Sequence, residues 1–445
     1  MKNVKRVLAL ILAASMIAGC KGKDASTPAS ASVSVSEETS VSEVTETSEE
    51  VSVEASAEVS TETSVSEPEP EPSQETAFEV PAACYLEPRA VNDSESFSGM
   101  RGLTAVELVA ELKAGWNLGN TMDAKGGETA WGNPKTTHEM IDAIAAKGFN
   151  VIRIPTSWGQ FTKGANGDYL IQTSWLERVA EIVDYALDND MYVILNTHHE
   201  TSWIIPTEAK MGDAEDKFIC IWTQIATYFA NYGDHLIFEG LNEPRVEGGP
   251  EEWNGGTKEN REIINRLEAD FVSVVRATGG NNEKRLLLVT SEAASVVDNA
   301  LKDVVVPDDE YVGLSLHAYT PYDFTFSHSG DYDNWDGTHR SDISWALKQC
   351  ETYFIEKGIP VVMTEFGAVR KGPDDVDNND EEVVKWITDY VKFAKRRGIP
   401  CVLWDNGITN GSGERFGYFN RKNLTWDRES IVDAMIEMAY SESEE

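Results

Sequence analysis

The chain has 445 residues, 41% of them hydrophobic, which is enough for one large core or two ordinary ones. Its formal net charge at pH 7 is −38, which argues against binding to nucleic acid and to anionic lipid surfaces. An acidic surface of this kind suits a neutral ligand.

The first twenty residues have the pattern of a targeting signal. Lys2, Lys5 and Arg6 precede the apolar run VLALILAASMIAG, which is too short for an ordinary transmembrane helix. The small residues before Cys20 resemble a bacterial lipobox, in which the cysteine is lipidated. We therefore predict a lipoprotein signal peptide over residues 1–20, with a secretory signal and a chance cysteine as the alternative. The protein is then expected at the extracellular face of a bacterial membrane, lipid-anchored, or secreted.

Residues 21–82 are predicted to form a disordered linker. From about residue 24 to 77 the chain consists mainly of Ser, Thr, Val, Glu, Ala and Pro, and it contains no aromatic residue. Such a segment cannot bury enough apolar surface to offset its conformational entropy. Its like charges and the stretch EPEPEP favour an extended chain. We expect a tether that lifts a folded domain off the membrane.

The remaining cysteines are predicted to be structural. The spacing of Cys84, Cys220, Cys350 and Cys401 fits no zinc pattern. The last three lie in or beside apolar segments, where cysteine acts as a small hydrophobic residue. We expect no disulfide, no metal site and no cofactor.

Eight apolar runs, most of them followed by a helical pattern, predict a (β/α)₈ barrel as the catalytic domain over residues 83–445. Short strands without strict alternation indicate a parallel sheet that is buried on both faces. Eight such units favour closure into a TIM barrel over an open doubly wound sheet, and no GxGxxG motif opens a helix. The runs are AGWNLGN, NVIRIP, YVILNTHH, LIFEGLNE, RLLLVTS, VGLSLHAY, PVVMTEFG and PCVLWDNG.

Two glutamates end strands on opposite sides of this predicted barrel. Glu243 ends the fourth run and Glu365 stands near the end of the seventh. Active sites of such barrels lie at the carboxyl ends of the strands. Glycoside hydrolysis needs two facing carboxyl groups, one protonated and one ionised. Arg153 of the second run could hold one of them ionised, although a purely structural network of glutamate and arginine is the alternative.

Seven motifs carry a resemblance to a known family. In this order, GWNLGN, IRIP, NTHHE, GLNEP, SLHAY, MTEFG and VLWDNG resemble the retaining cellulases of glycoside hydrolase family 5. GWNLGNTMDA and IRIPTSWGQ are most similar to its subfamily-four endoglucanases. The similarity covers residues 104–438, and it implies that Glu243 is the general acid/base and Glu365 the nucleophile.

The resemblance also implies roles for the residues around the two glutamates. Asn242 would bind the sugar 2-hydroxyl, Arg153 would orient the nucleophile, and Trp404 would be a platform under the sugar. We expect a cis peptide bond between Trp404 and Asp405. Adjacent residues of a regular strand face opposite sides, so strand geometry should break at Asn242. The other residues expected to bind substrate are Asn117, His198, His317 and Tyr319.

Aromatic side chains are the usual docking surface for the apolar faces of sugars. The tryptophans near loops or strand ends, in addition to Trp404, are platform candidates: Trp131, Trp158, Trp203 and Trp335. Those within helical patterns, Trp222, Trp345 and Trp386, are predicted to be core residues.

The predicted function is a retaining endo-β-1,4-glucanase that acts on cellulose or related β-glucans, with the two carboxyl groups about 5–5.5 Å apart. The alternatives are a xyloglucanase, a mixed-linkage glucanase or a mannanase of the same family, or a non-catalytic surface protein that binds glycans. We expect a monomer whose partner is a β-glucan polysaccharide and whose membrane contact is the lipid anchor alone.

Overall fold

The computed structural model describes residues 81–163, 169–327, 333–371, 379–411 and 413–442. The predicted signal peptide with Cys20, and the predicted linker up to residue 80, lie outside the described residues. Within these ranges, no helix is both long enough and apolar enough to cross a membrane.

Eight parallel strands close a barrel in the described part of the chain, as the sequence predicted. Two short antiparallel hairpins, which were not predicted, lie outside the barrel: β3 Thr162–Lys163 with β4 Leu170–Ile171, and β11 Phe419–Asn420 with β12 Thr425–Trp426. The barrel strands are β1 Ala114–Asn117, β2 Val151–Ile154, β5 Tyr192–Asn196, β6 Leu236–Glu239, β7 Leu287–Ser295, β8 Val312–His317, β9 Val361–Phe366 and β10 Cys401–Leu403.

Helices follow most of the strands and surround the barrel. The first two precede it: α1 Glu95–Ser98 and α2 Ala105–Val109. The others are α3 His138–Ala146, α4 Thr173–Leu187, α5 Glu208–Tyr228, α6 Lys258–Ala277, α7 Asp298–Leu301, α8 Tyr322–Thr325, α9 Arg340–Tyr353, α10 Asp380–Lys395 and α11 Glu429–Tyr440.

Alternation along the strands builds two apolar layers. Side chains such as Ile152, Leu314 and Met363 point outward and pack against the helices. The alternate side chains, such as Val151 and Leu288, point into the barrel and pack against α2, which covers its amino-terminal end. Because α2 covers the amino-terminal end, the carboxyl ends of the strands form the open face of the barrel.

One prediction about cysteine is wrong, because Cys84 and Cys220 form a disulfide. The segment before α1 runs along α5, where Leu86 N–H donates to Thr227 Oγ1 at 3.0 Å and Arg89 N–H donates to the Tyr228 carbonyl at 2.9 Å. This path brings together two cysteines that are 136 residues apart, which no local pattern could indicate. Cys350 and Cys401 are buried free thiols, as expected.

The predicted break in strand geometry is confirmed. β6 ends at Glu239, three residues before Asn242, so the segment that carries Asn242 and Glu243 is irregular. The carbonyl of Pro244 accepts a hydrogen bond from Ala293 N–H at 3.0 Å, which ties this segment to the end of β7. Both adjacent side chains can therefore reach the open face of the barrel.

Candidate active site

A layer of polar side chains lies inside the barrel, directly above its apolar interior. Arg153 stands at its centre and is fully buried. Its Nε and Nη2 donate to the two carboxylate oxygens of Glu239 at 2.7 and 3.0 Å. Ser315 Oγ donates to Glu239 Oε1 at 2.5 Å and lies 2.5 Å from Thr364 Oγ1. Hydrogen bonds to all these buried groups offset the cost of removing them from water.

Arg153 connects this layer to two of the predicted site residues. Its Nη1 donates to Glu365 Oε1 at 2.7 Å, and its Nη2 donates to Asn242 Oδ1 at 2.7 Å. Burial alone would lower the pKa of Arg153, but the charges of Glu239 and Glu365 raise it. The guanidinium group therefore keeps its charge and holds both side chains in fixed positions.

Glu365 reaches the open face because β9 is irregular at this point. Leu316 is paired with Met363, whereas the next residue of β8, His317, is paired with Glu365, so β9 holds one extra residue here. Tyr319 Oη donates to Glu365 Oε2 at 2.9 Å. Burial, with the charges of Glu365 and Glu243, raises the pKa of Tyr319, so the phenol remains a donor.

Glu243 is held by a histidine and an arginine. His317 Nδ1 lies 2.9 Å from Glu243 Oε1, and Arg245 Nη1 donates to the Glu243 carbonyl at 3.0 Å and to its Oε2 at 3.3 Å. Burial alone would raise the pKa of Glu243. The hydrogen bond and charge of His317, together with the charges of Arg245 and His199, lower the pKa below its ordinary value. His317 and Arg245 therefore hold the Glu243 side chain in place at the open face.

The two glutamates face each other across His317. One oxygen of Glu243, one oxygen of Glu365 and one ring nitrogen of His317 all lie within 4.8 Å of one another. His317 Nε2 is 3.7 Å from Glu365 Oε1. This arrangement places two carboxyl groups at one point of the open face, one anchored by Arg153 and the other in contact with His317.

His198 and Trp404 lie side by side near this point. Their rings are nearly parallel, with an interplanar angle of 5° and 5.9 Å between centroids. Burial and the positive charges around it lower the pKa of His198, so the ring is neutral. Its Nδ1 is 3.1 Å from Asn196 Nδ2, which can only donate, so Nε2 carries the hydrogen.

Asn117 lies deeper than the other predicted site residues. Its Oδ1 accepts from Arg153 Nη1 at 3.0 Å, and its Nδ2 donates to the Thr364 carbonyl at 2.9 Å. The side chain is fully buried, and both of its polar atoms are used by protein groups. This placement favours a role in holding Arg153 over direct contact with a ligand.

The cis peptide bond expected at Trp404–Asp405 is wrong, because this bond is trans. The described residues have their cis peptide bond at Thr320–Pro321. Trp404 N–H donates to the Phe366 carbonyl at 2.9 Å, and Asp405 Oδ2 accepts from Phe419 N–H at 2.9 Å. These contacts fix the chain on both sides of the bond in the trans form.

The tryptophan assignments are confirmed in part. Trp222 and Trp386 are buried as predicted, but Trp345 is 51% exposed because it lies on the outer face of α9. Two platform candidates, Trp158 and Trp335, are wrong because both are buried. Trp131 is 41% exposed, and its ring centroid lies 5.5 Å from that of His199.

Two groups of side chains in the described residues could offer ligands to a metal ion. One is Glu243, His317 and Glu365, whose atoms already bind one another. The other joins Asp123 to His198 and His199. The oxygens of Asp123 accept the N–H groups of Asn120 and Thr121 at 3.1 and 2.6 Å. In each group, hydrogen bonds to other protein groups already engage ligand atoms without an ion.

Three charged residues at or below the site were missed by sequence reasoning. Glu239 stands inside the apolar run LIFEGL, where a lone carboxyl group was itself the signal of a buried partner. Arg245 directly follows Pro244, and its contact with Glu243 has no sequence signature. Glu414 lies in the loop after β10, and the charges of Glu243 and Glu365 act on it. This loop contributes to the site only once the barrel has closed.

Comparison with known proteins identifies the family of the chain. Residues 117–410 match the family profile described as Cellulase (glycosyl hydrolase family 5). The chain is 49% identical to "Endoglucanase A" of Ruminococcus albus over 348 residues, which is 76% of this chain and 94% of that protein.

Solved structures of two enzymes have the same fold. A GH5-4 broad specificity endoglucanase from Clostridium acetobutylicum matches with a TM-score of 0.72 and 42% identity, over 75% of this chain and 99% of that one. A GH5 xyloglucan-specific endo-β-1,4-glucanase from a metagenomic library, solved with cellotriose, matches with a TM-score of 0.71 and 42% identity, over 75% and 98% of the two chains. The chain therefore belongs to glycoside hydrolase family 5, among the subfamily-four endoglucanases.

Proposed function

We propose that Glu365 is the nucleophile and Glu243 the general acid/base of this endo-β-1,4-glucanase, which cleaves internal bonds of its substrate with retention. The observation that carries the proposal is that the two side chains face each other with one oxygen of each within 4.8 Å. A short separation is typical of retaining enzymes, whereas inverting enzymes need about 6.5–9.5 Å to admit a water molecule.

The first step would form a covalent glycosyl-enzyme. A Glu365 oxygen attacks the anomeric carbon, and the bond from that carbon to the leaving oxygen breaks. Arg153 and Tyr319 donate to the two oxygens of Glu365, which holds the attacking carboxylate in position. Glu243 gives a proton to the leaving oxygen.

The second step would release the sugar with its original configuration. Glu243, now ionised, takes a proton from water, and the water oxygen attacks the anomeric carbon and displaces Glu365. Forming the ester removes the negative charge from Glu365, which makes it easier for nearby Glu243 to remain ionised as a base. One pair of carboxyl groups thus serves both steps.

The surrounding residues would position the sugar. Asn242 Oδ1 is bound to Arg153, so its amide nitrogen is left to donate to the 2-hydroxyl of the reacting sugar. Neutral His198 presents its Nε2 hydrogen beside the Trp404 ring, which offers a flat apolar surface. Asn117 would act indirectly, through Arg153.

We infer that the substrate is a β-1,4-linked glucan such as cellulose, xyloglucan or mixed-linkage glucan. Similar enzymes of known structure support more than one backbone, since one is a broad specificity endoglucanase and another is a xyloglucan-specific endo-β-1,4-glucanase. A product profile on cellulose, xyloglucan, mixed-linkage glucan and mannan distinguishes these substrates. Activity on mannan alone would contradict the inference, and turnover of none of the four would favour a non-catalytic glycan-binding protein.

We further propose that the enzyme is monomeric and acts outside the cell, held to the membrane by a lipid on Cys20. The basic start and the apolar run of the first twenty residues support this location. Mass spectrometry of the mature protein tests it. A diacylglyceryl group on an amino-terminal Cys20 is expected, whereas cleavage at another position would indicate a secreted form.

Azide rescue tests the two catalytic roles. Glu365→Ala removes the nucleophile, so no glycosyl-enzyme can form and turnover should be lost. Glu243→Ala should lower turnover by about 10²–10⁴-fold, and less with a dinitrophenyl leaving group, which needs no proton. Azide should then restore the Glu243 variant and give a β-glycosyl azide.

The configuration of the azide product decides the assignment. An α-azide from the Glu243 variant together with a β-azide from the Glu365 variant would reverse the two roles. A change below about tenfold in both variants would reject the catalytic pair.

A further inference from the structure

A third carboxyl group, that of Glu414, lies at the open face of the barrel beside the proposed catalytic pair. It stands in the loop that follows β10, and the charges of Glu243 and Glu365 both act on it. The mechanism proposed above uses two carboxyl groups and assigns no step to a third.

The backbone around Glu414 is firmly held. Asn406 Nδ2 donates to the Glu414 carbonyl at 2.8 Å, and Asn406 Oδ1 accepts from Phe416 N–H at 3.3 Å. The Phe416 ring packs against Tyr319 with 5.6 Å between centroids, and Tyr319 donates to Glu365 at 2.9 Å. Glu414 is therefore fixed relative to the nucleophile through a short series of contacts.

The carboxyl group of Glu414 has no such support. Its oxygens accept no hydrogen bond from any other residue that the structure describes, although the side chain is only partly exposed. A glutamate with a structural role in the same barrel looks different, because Glu200 Oε1 accepts the N–H groups of Trp158 and Gly159 at 2.5 and 2.9 Å. A half-buried carboxyl group without such partners is available to a ligand in the cleft.

The electrostatics of Glu414 connect it to the chemistry. Burial raises the pKa of Glu414 to about 7, the charges of Glu243 and Glu365 add to this effect, and His199 opposes it. Tyr319 and Tyr322 also face it, and its charge helps to raise the pKa of each phenol beyond the effect of burial. Such interactions are mutual, so an ionised Glu414 makes it harder for Glu243 to lose a proton.

We propose that Glu414 is a substrate-positioning residue with two roles. It binds a sugar hydroxyl beside the cleavage site, and it helps Glu243 to keep its proton as the pH rises. The second role rests on the proposed assignment of Glu243 as the acid. A hydroxyl that donates to a carboxylate forms a charge-assisted hydrogen bond, which is stronger than a bond between neutral groups. The hydrogen bonds of Asn406 to the backbone at Glu414 and Phe416 would help to place this acceptor. One group would thus contribute to binding and to the upper pH limit of activity.

Two substitutions separate these contributions. Glu414→Gln keeps the size and an acceptor oxygen but removes the charge, so KM near pH 5 should stay close to the wild-type value. The basic limb of the profile of kcat/KM against pH should move down by about half a pH unit.

Glu414→Ala removes the acceptor as well, and KM should rise about tenfold. Glu437→Gln, an exposed position on α11, is the matched control and should leave both quantities unchanged.

The outcome decides the proposal independently of the proposed function. If the basic limb of Glu414→Gln coincides with that of Glu437→Gln, or if Glu414→Ala keeps KM within about twofold of the wild-type value, Glu414 has no such role. A wild-type enzyme that cleaves no β-glucan would instead reject the proposed function.

Discussion

Arg153 donates to four different residues with one guanidinium group, and its role depends on its complete burial. It binds Glu239 with two hydrogen bonds and gives one each to Glu365, Asn242 and Asn117. A buried charge that loses its partner is strongly destabilising, whereas a complete network mainly fixes geometry. The polar layer is thus better understood as a support that aims Glu365 than as a source of stability.

Arg245 offers a residue-scale test of how the proton on Glu243 is controlled. Beyond the effects of burial and of His317, its charge lowers the pKa of Glu243. Arg245→Met removes this charge but can still pack on Trp253, whose ring lies 4.7 Å from the guanidinium carbon. The pKa of Glu243 should then rise, and the acid must be protonated to act. We therefore expect the basic limb of kcat/KM against pH to move up by about half a pH unit.

Arg245→Lys is the matched control for this prediction, because it keeps the positive charge and gives up the forked geometry. Its basic limb should stay near that of the wild-type enzyme. A downward shift with methionine, or equal shifts in the two variants, would show that the charge of Arg245 does not act on Glu243.

At the scale of elements, the barrel strands could be predicted because each is a short apolar run that ends in polar residues. The same reasoning found Glu243 and Glu365, since strand ends converge on one face of a barrel. It missed Arg245 and Glu414, because loops reach the site through paths that no periodicity encodes. Glu239 is a different case, because its position does have a sequence signal. Side chains of a barrel strand alternate between inside and outside, and this alternation along LIFEGL can turn Glu239 into the barrel.

The disulfide between Cys84 and Cys220 is an element-scale feature that can be tested. It joins the segment before α1 to α5 and closes a loop with a sequence separation of 136 residues. Cys84→Ser should lower the free energy of unfolding by about 2–4 kcal/mol, because the unfolded chain is no longer restrained. Urea unfolding at neutral pH measures this change.

The Cys84→Ser variant should lose stability but keep its activity. Neither cysteine is among the residues that hold Glu243 or Glu365, so kcat/KM at 25 °C should remain within about twofold of the wild-type value. Wild-type protein treated with a reductant under unfolding conditions should show the same loss of stability as Cys84→Ser. Equal unfolding free energies with and without the bond would contradict the prediction.

For the whole molecule, the disulfide, the covered amino-terminal end of the barrel and all eight barrel strands lie after Pro81. Residues 24–77 have a composition that cannot support a core, and none of the proposed catalytic or substrate-binding residues lies before Pro81. A chain shortened to begin at Pro81 should therefore fold and hydrolyse a soluble β-glucan with kcat/KM within about twofold of the full chain.

A chain that begins at Tyr85 lacks Cys84, so it should keep this activity but show the reduced unfolding free energy of Cys84→Ser. If the chain that begins at Pro81 loses much of its activity while its urea midpoint stays unchanged, the amino-terminal segment takes part in catalysis. That outcome would contradict the prediction.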